Sequence, residues 1–137
     1  MTKLLDDISR TYELGNINNH PVLAGEKIYE GAVVGLDENG YARPLVAGDK
    51  FVGFADRFVD NTNGSDGEVS IAVRDQGKIV LDIEGLSLNN VGQEIYASDD
   101  NSFTLEEKGN TYIGVISRVI GSEVLVYFSA NTNRYRG

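Results

Sequence analysis

The chain has 137 residues, with no cysteine, no tryptophan, one histidine, two prolines and sixteen glycines. One hydrophobic core can organise this length without disulfides or a structural metal, and the absence of cysteine excludes disulfide frameworks, thiolate nucleophiles and Cys-ligated zinc or iron–sulfur sites. Twelve Lys and Arg against 21 Asp and Glu give a net charge of −9, which disfavours phosphate-driven DNA or RNA binding, so no nucleic-acid partner is expected.

The first 21 residues predict an extended N-terminal arm. Lys3, Asp6, Asp7, Arg10 and Glu13 are interspersed with Leu4, Leu5, Ile8, Tyr12, Leu14 and Ile17 without strand periodicity. No run there suits a signal-peptide core, and no stretch of the chain approaches a membrane span, so a protein made and used in water is expected. A β-domain is predicted over residues 22–128, because Gly, Asn and Asp clusters punctuate the chain every 8 to 12 residues, the spacing of short strands in a sandwich or barrel. In Glu68–Arg74 the residues Val69, Ile71 and Val73 alternate with polar or small ones. Lys78–Glu84 repeats the pattern through Ile79, Leu81 and Ile83, so the two segments are expected to pair as a hairpin about Gln76-Gly77. A short helical turn is expected at Ser87–Val91, with Ser87 as its cap and Gly92 as its end. Tyr112–Ile120 and Glu123–Phe128 flank the two-residue turn Gly121-Ser122 and are apolar on both faces, as befits central or interface strands. Residues 129–137 form a short C-terminal tail in which Arg134 and Arg136 face no acid, leaving −11 on residues 1–128. Arms of this composition are ordinarily poorly ordered unless tied down; a neighbouring chain is expected to hold them, the alternative being that they fold back on their own domain.

An internal duplication organises the middle of the chain. Lys50-Phe-Val-Gly-Phe-Ala-Asp-Arg-Phe-Val59 superposes without a gap on Thr111-Tyr-Ile-Gly-Val-Ile-Ser-Arg-Val-Ile120, an offset of 61 residues. Upstream, Ile28-Tyr29 aligns with Ile95-Tyr96 if a few residues are deleted, and Asp37-Glu-Asn-Gly-Tyr41 aligns with Asp99-Asp-Asn-Ser-Phe103. Each copy enters on an Ile-Tyr strand, turns at an Asp/Asn cluster and then at Val46–Asp49 or Lys108–Asn110, and returns on an aromatic-x-Gly strand. Two copies are too few for a solenoid. They predict a pseudo-symmetric barrel or sandwich in which Gly53 and Gly114 mark a bulge or a close backbone approach.

No catalytic signature accompanies this pattern. His20 lies before Pro21 with no triad partners at recognisable spacing. The carboxylates of Asp37, Glu38, Asp99 and Asp100 fit turns in which Asp bonds its own backbone. Asp60–Glu68 is rich in oxygen but lacks EF-hand spacing. No glycine run forms a phosphate cradle. With the net charge of −9, the seven Tyr and five Phe are assigned to core or interface packing. No catalytic residue, metal or cofactor is therefore expected, and the protein is read as a non-enzyme.

Three stretches carry a family resemblance: Ile28-Tyr-Glu-Gly-Ala-Val-Val-Gly-Leu-Asp37, Gly40-Tyr-Ala-Arg-Pro-Leu45, and Phe51-Val-Gly-Phe-Ala-Asp-Arg57 with its echo Tyr112-Ile-Gly-Val-Ile-Ser-Arg118. Over roughly residues 22–128 the chain resembles the head decoration, or capsid cement, proteins of tailed bacteriophages. The resemblance implies a small, β-tulip-like all-β protein that assembles as a homotrimer on the capsid exterior and clamps neighbouring major capsid subunits, with an N-terminal arm laid on the shell. On that reading the capsid-contact candidates are Tyr12, Leu14 and Ile17 in the arm and Arg134 and Arg136 in the tail. The arm adds a strand to an edge of the capsid protein, many sites on one shell combine through avidity, and the acidic exterior keeps coated particles apart. A protein of a different class, a carbohydrate- or receptor-binding β-module of a virion using exposed tyrosines, is the alternative. An enzyme domain built on the Asp/Glu turns is the third.

Overall fold

The computed structural model describes residues 15–130 together with residues 3, 5–7 and 9. The strands are β1 (Ile17–Pro21), β2 (Lys27–Ile28), β3 (Val33–Leu36), β4 (Ala42–Pro44), β5 (Lys50–Ala55), β6 (Val59–Asp60), β7 (Ser70–Arg74), β8 (Gln76–Asp82), β9 (Glu94–Asp99), β10 (Ser102–Thr104), β11 (Thr111–Ile120) and β12 (Glu123–Ser129). A single 3₁₀ turn covers Leu88–Asn90, flanked by Ser87, whose backbone N–H donates to Asn90 Oδ1 at 2.8 Å. The expected turn between Ser87 and Gly92 is therefore present. The described residues form an all-β fold, with two five-stranded sheets and one two-stranded sheet.

The two large sheets have the same plan. One runs β4-β3-β5-β7-β1 and the other β10-β9-β11-β12-β8, with every neighbour antiparallel. The 61-residue offset extends well beyond the stretch found in the sequence. It carries β1 onto β8, β3 onto β9, β4 onto β10 and β5 onto β11. Even the irregularities coincide. The ladder between β3 and β5 slips at Val52 and that between β9 and β11 slips at Ile113, leaving Val34 opposite Gly53 and Ile95 opposite Gly114. The N–H of Gly31 donates to Ala55 O and that of Gly92 to Ile116 O, and Asp49 N to Val46 O is matched by Asn110 N to Glu107 O. The structural partner of Ile95-Tyr96 is thus Val34-Gly35. This corrects the expected match to Ile28-Tyr29 and removes the deletion that it required, because backbone pairing sets the equivalence where side-chain likeness misleads.

Both bulges depend on glycine. A Cβ at Gly53 would collide with the Arg74 carbonyl, and one at Gly114 would collide with the Tyr127 carbonyl and lie 2.9 Å from Val126 Cγ1. Arg74 and Tyr127 occupy equivalent places, opposite Phe54 and Val115. The expected close backbone approach is therefore present in both copies.

Two other expectations are corrected. β7 and β8 do not form a hairpin: β7 pairs with β5 and β1, whereas β8 pairs with β12 along seven residues from Gln76–Ser129 to Asp82–Glu123. One residue, Asp75, separates them. Its backbone N–H donates to Asn16 O and its carbonyl accepts from Ala130 N at 2.7 Å, so the chain passes from one sheet to the other without reversing. The second correction concerns the arm. Residues 17–21 are β1, laddered to β7 from Ile17–Arg74 to Pro21–Ser70; their side chains are mostly exposed because β1 is an edge strand, which hides the periodicity. The sheet likewise extends through Ser129 at the other end. By contrast, the hairpin β11–β12 closes at Gly121-Ser122 as expected, and both strands lie inside their sheet.

Burial separates two clusters. Val22, Ile28, Val34, Val52, Val59, Ile71 and Val73 fill the first half beneath the β2–β6 pair. The larger cluster combines Val33, Leu45, Phe51 and Phe54 of the first half with Ile95, Ile113, Ile116, Val124, Val126 and Phe128 of the second. At its centre the Phe54 and Phe128 rings meet edge-on with centroids 4.9 Å apart, and Phe51 packs against both.

Candidate functional site

The chain enters and leaves the sheets at one place. Asn16 and Ala130 bond to the two backbone groups of Asp75, and Gln76 Nε2 donates to Gly15 O at 3.1 Å. Beside them lies a cavity of about 180 Å³ lined by Asn18, His20, Leu36, Lys50, Phe51, Val52, Asp75 and Ala130. The Asp75 side chain is buried. Burial pushes the His20 imidazole below its ordinary pKa of 6.5, the Asp75 carboxylate opposes that shift, and the Lys50 ammonium adds to it. Burial in this cavity therefore favours the neutral form of the imidazole.

Of the residues expected to contact a partner, Ile17 lies in β1 opposite Arg74 with 41% of its surface exposed. Tyr12, Leu14, Arg134 and Arg136 fall outside the described residues. The structure thus places the roots of both termini side by side.

The carboxylates at the turns are engaged in local bonds. Asp37 Oδ1 accepts from the backbone N–H groups of Asn39 and Tyr41, each at 2.9 Å. Asp99 Oδ1 accepts from Asn101 N at 2.8 Å and its Oδ2 from Ser102 Oγ at 3.0 Å. Asp100 is raised above its ordinary pKa, first by burial and then by the neighbouring Asp99 charge. In the oxygen-rich loop, Asp60 Oδ1 accepts from Thr62, Glu68 Oε1 from Ser65, and Asp66 Oδ1 from Ala24 N. Asn61 is buried and its Nδ2 donates to the carbonyls of Val22, Leu23 and Ser65. Among the described residues no group of three or more His, Asp or Glu side chains could hold a metal ion, and no helix is long and apolar enough to cross a membrane.

Sequence reasoning missed one feature. Val33, Phe51 and Phe54 of the first half are buried against the second, but their equivalents Glu94, Tyr112 and Val115 belong to a face on which Val80 and Tyr127 are more than half exposed. The signal was present at the 61-residue offset, where Val33 becomes Glu94. Comparison of the chain with protein-family models, with curated proteins and with solved structures returns no match.

Proposed function

We propose that the protein is a head decoration protein of a tailed bacteriophage, made in the host cytoplasm and carried on the capsid exterior, where it binds as a homotrimer and clamps neighbouring major capsid subunits. Its two large sheets then correspond to a compact, β-tulip-like barrel or sandwich. The observation that carries the reading is the meeting of Asn16 and Ala130, where the two terminal segments leave the sheets, at the backbone of Asp75. A clamp needs its attachments on one side and a folded body on the other, and terminal segments that leave the body at one place supply that geometry to a shell. The resemblance over residues 28–57 and 112–118 and the engagement of the turn carboxylates in local bonds support binding over chemistry. Tyr12 and Leu14 then continue from β1 as an added strand on a capsid-protein edge, and the acidic body limits crowding between copies.

The test is co-sedimentation of the purified full chain with heads assembled from the major capsid protein of the genome that encodes the chain. The parent protein is expected to saturate the heads, and Tyr12→Asp with Leu14→Asp to lose binding while keeping the β-sheet circular dichroism of the parent. Asp99→Asn should bind as the parent does. Failure of the parent to sediment with heads, or full binding by the arm variant, overturns the proposal.

A further inference from the structure

The two halves differ at one seam. In the first half, the outer strands of the sheet are joined: Val22, which continues β1, forms a parallel bridge with Ala42 of β4, and Leu23 N donates to Ala42 O at 2.9 Å. Asn61 holds that junction by bonding the Val22 and Leu23 carbonyls. The corresponding positions in the second half are Ile83 and Phe103, and no bridge joins them among the described residues. The physical reason is visible. Phe103 puts a ring where the first half has the small Ala42, and the turn Gly121-Ser122 replaces the whole Asp60–Glu68 loop that carries Asn61. Among the described residues β8 accordingly pairs only with β12, and β10 only with β9.

Between these two open edges lies a cavity of about 680 Å³, lined by Ile79–Asp82 of β8, Phe103 of β10, Asp100 and the Tyr29–Ala32 segment of the first half. Among the described residues every charged side chain lining it is acidic: Glu30, Asp82 and Asp100. Tyr29 stands at its rim, more than half exposed and packed on Phe58 with centroids 5.4 Å apart. Two strand edges with unused backbone groups, an apolar floor and an acidic rim fit one extended peptide that carries positive charge.

The geometry points to the C-terminal tail of a second copy, Asn131–Gly137, as that peptide. The tail contains Arg134, Tyr135 and Arg136 and no acid, whereas residues 1–14 carry Asp6, Asp7 and Glu13 against Lys3 and Arg10. Charge therefore selects the tail over the arm. A subunit's own tail is poorly placed. It starts at Ala130, beside Asp75 and at the Gln76 end of β8, so it would have to round the crossover before reaching β8's free edge. Seven extended residues span only about 23 Å, roughly the length of β8 itself, so little ladder would remain. A tail arriving from a neighbour has no such detour. Strand exchange between copies thus seals in trans the seam that the first half seals with its own chain. The inference deepens the self-association proposed above but does not depend on a capsid.

It is tested on isolated full-length protein by sedimentation velocity, without heads. Arg134→Glu with Arg136→Glu, and separately Glu30→Lys with Asp82→Lys, should each weaken self-association at least about tenfold, because tail and seam then carry like charge. Mixing the two variants restores opposite charges and should yield a mixed oligomer. A synthetic peptide of residues 130–137 added to the tail variant should shift the amide resonances of Ile79–Asp82 and Ser102–Thr104. A parent chain that is monomeric, variants that associate like the parent, a mixture that stays dissociated, or peptide-induced shifts located elsewhere each overturn the assignment. A monomeric parent chain would also remove the homotrimer from the proposed function, whereas the other failures leave that reading intact and head binding is tested separately by co-sedimentation.

Discussion

Two glycines decide how closely the strands approach, and they differ in one respect. Gly53 has φ of +138°, in the region that side chains disfavour, whereas Gly114 does not. Both meet the carbonyl of the next strand. Alanine at Gly114 is expected to cost about 1–3 kcal/mol through overpacking, and alanine at Gly53 about 1–2 kcal/mol more because backbone strain adds to the collision. Urea unfolding of the two variants checks the ranking, and equal losses would show that the φ difference carries no energy. Single residues also set the pH response. The folded His20 holds its proton less tightly than the unfolded chain, whose pKa is near 6.5. Its contribution is therefore complete above 6.5 and is lost as pH falls through the lower folded value. The parent should lose stability relative to His20→Gln over that interval, measured by urea midpoints at successive pH values. Asp100 has the opposite sign. Burial and Asp99 raise its folded pKa above 3.8, so its charge opposes folding at neutral pH, and its favourable contribution, present below 3.8, is lost as pH rises. Asp100→Asn should raise the midpoint at neutral pH and lose that advantage in acid.

At the scale of the element, β1 decides where the folded body begins. Its five-residue ladder to β7 and the Asn16–Asp75 bond join it to the sheet, so removing residues 1–14 should leave the melting temperature close to that of the parent. Removing residues 1–21 strips the edge from β7 and is expected to destabilise the protein by more than about 3 kcal/mol, the loss of a whole strand exceeding that of a typical point change. Differential scanning calorimetry of both truncations distinguishes an arm from a strand. The sequence made β7 and β8 legible through period-2 alternation, and β11 and β12 through apolar runs that flank the Gly121-Ser122 turn. β1 was illegible because Ile17, Asn18, Asn19 and His20 sit on an exposed edge where burial imposes no pattern. The mistaken hairpin has a different origin. Alternation reports which face is buried, not which strand lies alongside, and a single residue between two strands carried them into different sheets. The site was legible in part: the turn roles of Asp37 and Asp99 followed from local chemistry, whereas the convergence of Asn16 and Ala130 on Asp75 rests on contacts between residues more than fifty positions apart.

Across the whole molecule, the duplication produces two sheets of one plan that do not pack symmetrically. Val34, Val52, Ile71 and Val73 turn toward the β2–β6 pair, while their equivalents Ile95, Ile113, Val124 and Val126 receive Val33, Leu45, Phe51 and Phe54 from the other half. One copy has kept its own cover and the other borrows its neighbour's outer face. The second half therefore depends on the first for its core. Phe54 and Phe128, one from each half and 4.9 Å apart by centroid, carry that dependence. Truncating either to alanine should cost about 3–5 kcal/mol. Because they touch, the double variant should fall short of the sum by about 0.5–1.5 kcal/mol, the coupling of an aromatic pair. If the halves form one cooperative unit, hydrogen exchange in Phe54→Ala will quicken equally in β7 and in β12. Faster exchange confined to β3, β5 and β7 would instead show two units that merely touch, and the shared cluster would then be a contact surface and not a core.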